Sequence, residues 1–192
     1  MASTLFDVLG TEWFCVTAVR GLRQTDVLAR LGVDGPDPLP RCPIDGAIEH
    51  FGPDSWAVRF HCPPGAGWAY VFDAFAQVGV TFREPVLKEL SRGTEAVSVW
   101  KLLDGTTRVA HACDGEILAL FDSWMFDPAS GKGPDRLNRA LERAGFFPDE
   151  TDDDFSDPAA ALEAVESEFG LTVDPQEVAG PLPTVVVPVR AG

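Results

Sequence analysis

The side chains with the widest chemical scope are His50, His61 and His111 and the four cysteines Cys15, Cys42, Cys62 and Cys113. His111 and Cys113 lie two apart in a strand-like run, so they project to one side, as two metal ligands or a Cys/His pair would. His61 and Cys62 are adjacent and point to opposite sides of a strand, so at most one joins them. The spacing fits no standard zinc motif, and no pair of cysteines has C-x-x-C spacing. The expectation is free thiols and a hydrogen-bonded core histidine beside a buried thiol, with no metal and no cofactor. G-x-S-x-G, G-x-x-x-x-G-K-[ST], G-x-G-x-x-G and H-E-x-x-H are absent. Thirty acids single out no carboxylate pair for acid/base work, so no catalytic residue is named and the balance of motifs is against an enzyme.

Charge is the most informative pattern. The 192 residues carry a formal net charge of -15, and eleven of the thirty acids but none of the fifteen bases fall in 149–177. Asp149, Glu150, Asp152, Asp153 and Asp154 open this stretch, and Glu163 and Glu166 continue it. A solvated linker and helix face would look like this, and so would a docking surface for a basic partner, since clustered charge speeds association and fades with salt. The run lacks D-x-[DN]-x-[DN]-G spacing, which removes a calcium loop. Acidity also opposes direct binding to nucleic acid or an anionic membrane. No 18-residue apolar run is present, and MASTLFDVLGTEW lacks a basic leader and carries Asp7 and Glu12. The expectation is a cytoplasmic chain.

These groups need elements to position them. A helix is expected over the first ten residues, capped by Ser3 or Thr4. A strand follows over 12–19, then a helix capped by Thr25 and ended by Gly32. Four prolines make 34–46 a loop. Two aromatic strands, 55–61 and 67–73, place Trp56, Val58 and Phe60 on one face and Trp68, Tyr70 and Phe72 on one face, so that facing strands bring five aromatics together. That surface is either core or a ligand pocket built from Trp56, Arg59, His61, Trp68, Tyr70 and His111. After a helix at 84–92, Asp104-Gly105 and Asp114-Gly115 predict two hairpins with two-residue turns and a three-stranded meander over about 95–122. That register opposes Trp100 to Val109 and His111 to Leu118. One face then holds Trp100, Leu102, Val109, Leu118 and Leu120 with His111 among them, and the other Val97, Val99, Ala110, Ala112, Ile117, Ala119 and Phe121. Helices at 134–144 and 158–169, the latter capped by Asp157, precede an extended PLPTVVVPV tail able to add a strand to this sheet or to a partner. The fold class is therefore α+β. An antiparallel sheet carries short helices packed on it and two C-terminal helices. The division expected is a 1–148 core, a 149–177 acidic linker and helix on or beside it, and a 178–192 tail.

The segments TEWFCVTAVRGL, GTEAVSVWKLLDGTTRVAHACDGEILALFD and AALEAVESEFGLTVDP together resemble an uncharacterised actinobacterial family of unknown function. The resemblance covers residues 11–32 and about 93–177. It implies a cytoplasmic bacterial α+β protein and carries over no catalytic residue. Three functions stand open. The first is a non-enzymatic binding module, immunity- or antitoxin-like, that docks a basic partner protein through Asp149, Glu150, Asp152, Asp153, Asp154, Glu163 and Glu166. The second is a small-molecule binder or small enzyme with a pocket at the aromatic hairpin 55–73. The third is a structural subunit that lends its tail as a strand.

Overall fold

The computed structural model describes residues 3–10, 13–34, 38–44, 46–52, 55–65, 67–125, 127–147 and 155–188. Apolar residues in alternating and continuous runs build strands β1 (Phe14–Arg20), β2 (Arg41–Cys42), β3 (Ala57–His61), β4 (Trp68–Asp73), β5 (Glu95–Lys101), β6 (Thr107–Cys113), β7 (Glu116–Asp122) and β8 (Leu182–Val186). The helices are α1 (Thr4–Leu9), α2 (Gln24–Leu31), α3 (Gly46–Phe51), α4 (Glu84–Leu90), α5 (Asp135–Arg143), α6 (Asp157–Phe169) and α7 (Pro175–Ala179). Among the described residues the strands form one eight-stranded antiparallel sheet in the order β2-β8-β3-β4-β1-β5-β6-β7. No described helix is long and apolar enough to cross a membrane.

Both faces of this sheet are covered, which explains why its strands read as continuous apolar runs. Leu5 of α1, Leu137 and Leu141 of α5, Leu162, Val165 and Phe169 of α6 and Val178 of α7 pack on one face, against Val16, Tyr70, Val97, Val99 and Val109. Val27 and Leu31 of α2 and Val86, Leu87 and Leu90 of α4 cover the other, against Val19, Phe60, Val71, Ala96, Ala110 and Ala112. The alanines of β5 and β6 leave room for α4 to approach.

The meander forms where the sequence places it, but its expected register is corrected twice. The first turn spans three residues, Leu103, Asp104 and Gly105, because Leu102 N–H bonds to the Thr106 carbonyl at 2.9 Å while Gly105 takes a φ of 90°. That is a type I turn closed by a glycine bulge, and it opposes Val99 to Val109 and Val97 to His111. The second turn is the expected two-residue Asp114-Gly115, with Cys113 opposite Glu116. A bulge then inserts Leu118, so His111 faces Ala119 and Val109 faces Phe121. One residue of slip exchanges the faces. Val97, Val99, Val109, Ala119 and Phe121 therefore share a core face with His111, while Leu120 turns outward and is 46% exposed.

Caps differ in detail. Ser3 accepts from Phe6 N–H at the start of α1. In α2 the cap is Arg23, not Thr25, because Asp26 reaches back to the Arg23 N–H at 3.2 Å and pairs with its guanidinium. Ser156 rather than Asp157 sits at the cap of α6. Helix α3 falls within and beyond the proline-rich stretch expected to be loop, and α7 was not expected either. The tail pairs inside the chain, with β8 between β2 and β3.

One buried carboxyl holds the second layer. Asp73 ends β4 and accepts from the Val80 N–H, the Thr81 N–H at 3.3 Å and the Thr81 hydroxyl at 2.7 Å, fixing the turn that leads to α4. Burial raises its pKa to about 7, against the pull of those three donors. An unfolded aspartate titrates near pH 4, at about 3.9. The folded chain thus holds a proton that the unfolded chain has lost between about pH 4 and pH 7. Its contribution to stability is full below pH 4 and disappears as pH rises through 7. Between pH 8 and pH 5 the wild type is expected to gain about 2–3 kcal/mol more than Asp73→Asn, read from urea midpoints. Equal pH profiles would refute this assignment.

Candidate functional site

The expected aromatic pocket does not assemble on one surface. The β3–β4 register opposes His61 to Tyr70, Arg59 to Phe72 and Phe60 to Val71. Val58 and Phe60, with Trp56 beside them, therefore face the α2/α4 layer. Trp68, Tyr70 and Phe72 face the layer of α1, α5, α6 and α7. The five aromatics are split between two faces. Arg59, His61, Trp68, Tyr70 and His111 do share a face, but their polar tips hold the chain's own backbone and carboxylates. Trp68 Nε1 donates to the Phe169 carbonyl at 3.2 Å. The Tyr70 hydroxyl donates to the Thr172 carbonyl and accepts its N–H, both at 2.9 Å. The Arg59 guanidinium donates to the carbonyls of Cys42, Val178 and Gly180 at 3.1, 3.0 and 2.8 Å. His61 Nε2 lies 3.6 Å from Glu177. These residues act as a row of anchors for residues 169–180.

His111 belongs to an ionic network that sequence reading missed. Its Nε2 is 3.0 Å from Glu95 Oε1, and Glu95 also pairs with Arg136 at 2.5 Å and Arg20 at 2.9 Å. Arg136 bonds Glu168 at 2.8 Å and lies 4.2 Å over the Phe169 ring, while Arg143 bonds the other Glu168 oxygen. Burial alone would raise the Glu168 pKa, but the two arginines hold it below its ordinary value. The legible signal was helical spacing: Arg136 and Arg143 are seven apart on α5 and face one carboxylate on α6.

The network has the parts of a general base but not the arrangement. Burial lowers the His111 pKa despite Glu95, which favours the neutral ring donating through Nε2 to Glu95 and leaves Nδ1 buried with no partner among the described residues. Protonating Nδ1 would create a buried donor with no acceptor. Burial likewise pushes the thiols up: Cys15 well above its ordinary value, Cys62 to about 11, and Cys113 upward with help from Asp114. Protonated thiols are poor nucleophiles and ligands. Among the described residues no three His, Cys, Asp or Glu side chains converge to hold a metal.

A different corner gathers exposed groups. Helix α5 ends in Ala144 and Gly145, and Phe147 adopts a φ of 66°, an unusual conformation for a bulky residue. Aromatic packing enforces it. Phe121 meets Phe146 at 5.0 Å and Phe147 at 5.8 Å, and Phe155 meets Phe146 at 5.1 Å. Asp149, Glu150, Asp152, Asp153 and Asp154 lie outside the described residues; Phe147 before them and Phe155 after them belong to this cluster. Just after Phe121 the chain exposes Trp124 (71%) and Met125 (62%). Pro128 joins two shallow grooves, one lined by Arg108, Leu120, Met125 and Asp127 and the other by Asp135, Arg139, Glu142 and Phe147. Of the expected partner-binding acids on α6, Glu163 is half-buried. Glu166 is half-buried, and its carboxylate accepts from the Thr4 hydroxyl at 2.7 Å and the Leu5 N–H at 2.9 Å, which ties α1 to α6.

The sequence profile of a family of unknown function (DUF6461) matches residues 2–173. The chain belongs to that family. The match spans α1 through α6, so the sheet up to β7, the His111 network and the aromatic corner are all inside the DUF6461 region, while α7 and β8 follow it. No curated protein and no solved structure matches the chain.

Proposed function

We propose that this chain is a non-enzymatic binding module of the bacterial cytoplasm that captures a basic partner protein at the aromatic corner, in the manner of an immunity protein or antitoxin. The observation that supports it is coincidence in space. The residues that flank the five carboxylates, Phe147 and Phe155, pack with Phe121 and Phe146, and the chain exposes Trp124 and Met125 three and four residues after Phe121. An exposed aromatic with an acidic surround suits a partner that presents an apolar anchor ringed by Lys and Arg. The engagement of His61 and His111 in internal contacts and the burial of Cys15 favour the same reading over an enzyme.

The experiment is affinity capture from the native host at low salt, followed by kinetics. Asn/Gln replacements at Asp149, Glu150, Asp152, Asp153 and Asp154 remove five of the eleven acids of 149–177. Association with a captured Lys/Arg-rich partner is expected to slow by about tenfold or more at low ionic strength and to lose its salt dependence. Trp124→Ala should instead raise the dissociation rate. An on-rate unchanged by the five replacements, or capture of no basic partner at low salt, would overturn the reading.

A further inference from the structure

The opposite face of the sheet carries a cavity of about 280 Å³ between α2, α4 and the end of β8. Its floor is apolar, built from Leu31, Val86 and Val187. One wall is the half-buried Trp56, and the Arg83 guanidinium lies 4.5 Å over its ring. Arg30 stands on another side, with Nη1 bonded to the Leu90 carbonyl at 2.7 Å. Among the described residues the single acid on the lining is Glu84, paired with Lys88 at 2.6 Å. Arg83 has no hydrogen-bond or ion-pair acceptor among the described residues; its contact is the indole face.

We infer that this cavity is a binding site for a flat aromatic carboxylate. Three features select that chemistry. An indole wall over an aliphatic floor takes a planar ring by stacking and burial. A guanidinium offers a planar fork that matches a carboxylate bidentately and keeps its charge at any physiological pH. Two arginines stand on one small apolar cavity in a chain of net charge -15. That is the reverse of the general field, so the local charge is selective for an anion that the rest of the surface repels. The volume lies just under the range of about 300–1,000 Å³ typical of drug-sized ligands, which limits the occupant to a bicyclic body. In the empty state Arg83 rests on Trp56, and an entering ring takes that indole face while the guanidinium turns to the carboxylate.

This inference goes beyond the docking surface and stands independently of it, because the cavity shares no lining residue with either groove of that corner. The probe is 2-naphthoate, titrated calorimetrically into the full chain, with 2-naphthamide as the uncharged analogue. One site per chain is expected, with a Kd on the order of 0.1 mM, and the amide should bind about tenfold more weakly. Arg83→Gln should weaken the carboxylate about tenfold and leave the amide unchanged. Arg83 is exposed and Arg83→Gln removes no core contact, and Trp56→Leu provides a second variant that should weaken both probes. Arg139→Gln, on the far groove, should change neither. No heat of binding up to about 5 mM, equal affinity for acid and amide, or an Arg83→Gln titration like the wild type would each overturn the assignment.

Discussion

Replacing Arg59 with Met is expected to lower stability by about 3–5 kcal/mol, the range for breaking a buried charged group's bonds while its partners stay buried. Arg59 is 3% exposed on β3 and holds three carbonyls from two separate stretches, Cys42 on β2 and Val178 and Gly180 around the end of α7. Methionine approximates the stem and supplies no donor. The three oxygens would be left facing apolar surface unless the segment moved out to reach water. The second outcome has its own signature, because β8 pairs with β3 immediately after this anchor. Hydrogen exchange at 182–186 should then accelerate more than exchange in β5 and β6, with the urea midpoint falling in step. Arg59→Lys should recover little, since a single ammonium cannot span acceptors that the planar fork reaches from Nε and Nη2 together. A loss below 1 kcal/mol on Arg59→Met would mean that these bonds add little beyond what water provides.

The same residue shows how far the sequence could be read. Period-two alternation placed β3 and β4 nearly to the residue and made Arg59 and His61 sharers of a face. Alternation does not fix which face of one strand joins which face of its neighbour. That is set by the turn between them, and here Val58 and Phe60 went to one layer and Trp68 and Tyr70 to the other. The first meander hairpin failed for a related reason. Asp-Gly is common to two-residue turns and to three-residue turns with a glycine bulge, and only the bond from Leu102 to Thr106 distinguishes them. Helix starts were closer because caps are local, although Asp26 reaching back to Arg23 outweighed the Thr25 hydroxyl. The ionic network stayed hidden for a stronger reason. Glu95, Arg136 and Glu168 come from three elements up to 73 positions apart, and nothing in a charge count distinguishes a carboxylate that two arginines will hold from one left in water. The acidic run was visible at once, but the packing of Phe155, just after it, on Phe146 and of Phe146 on Phe121 is tertiary.

Gly131→Ala is expected to cost at least about 3 kcal/mol, or to expel a strap from the sheet edge, because the residue sits where only glycine fits. Its φ is 142°, and a Cβ there would lie 2.4 Å from the Leu118 carbonyl oxygen and 3.0 Å from its carbon. Both are backbone atoms, so no side chain can swing away. The residues around it matter because β7 is the last strand of the sheet. Ser130 exchanges bonds with Leu120 at 2.8 and 2.9 Å, and Gly133 N–H donates to Leu118 O at 2.9 Å. The strap is fixed on its inner side by Asn138, which both accepts from and donates to the Ala129 backbone. It therefore fills hydrogen-bonding positions that an open edge would offer to another chain. If alanine forces the strap off, β7 gains unpaired N–H and C=O groups beside the exposed Leu120. Sedimentation should then show association rising with concentration beyond that of the wild type, together with a lower urea midpoint. The displacement would also shift Pro128, shared by both grooves of the proposed docking corner. Partner capture should weaken in Gly131→Ala even though no acid has been removed. A variant with wild-type stability, sedimentation and capture would show that the strap yields without strain and does not guard the edge.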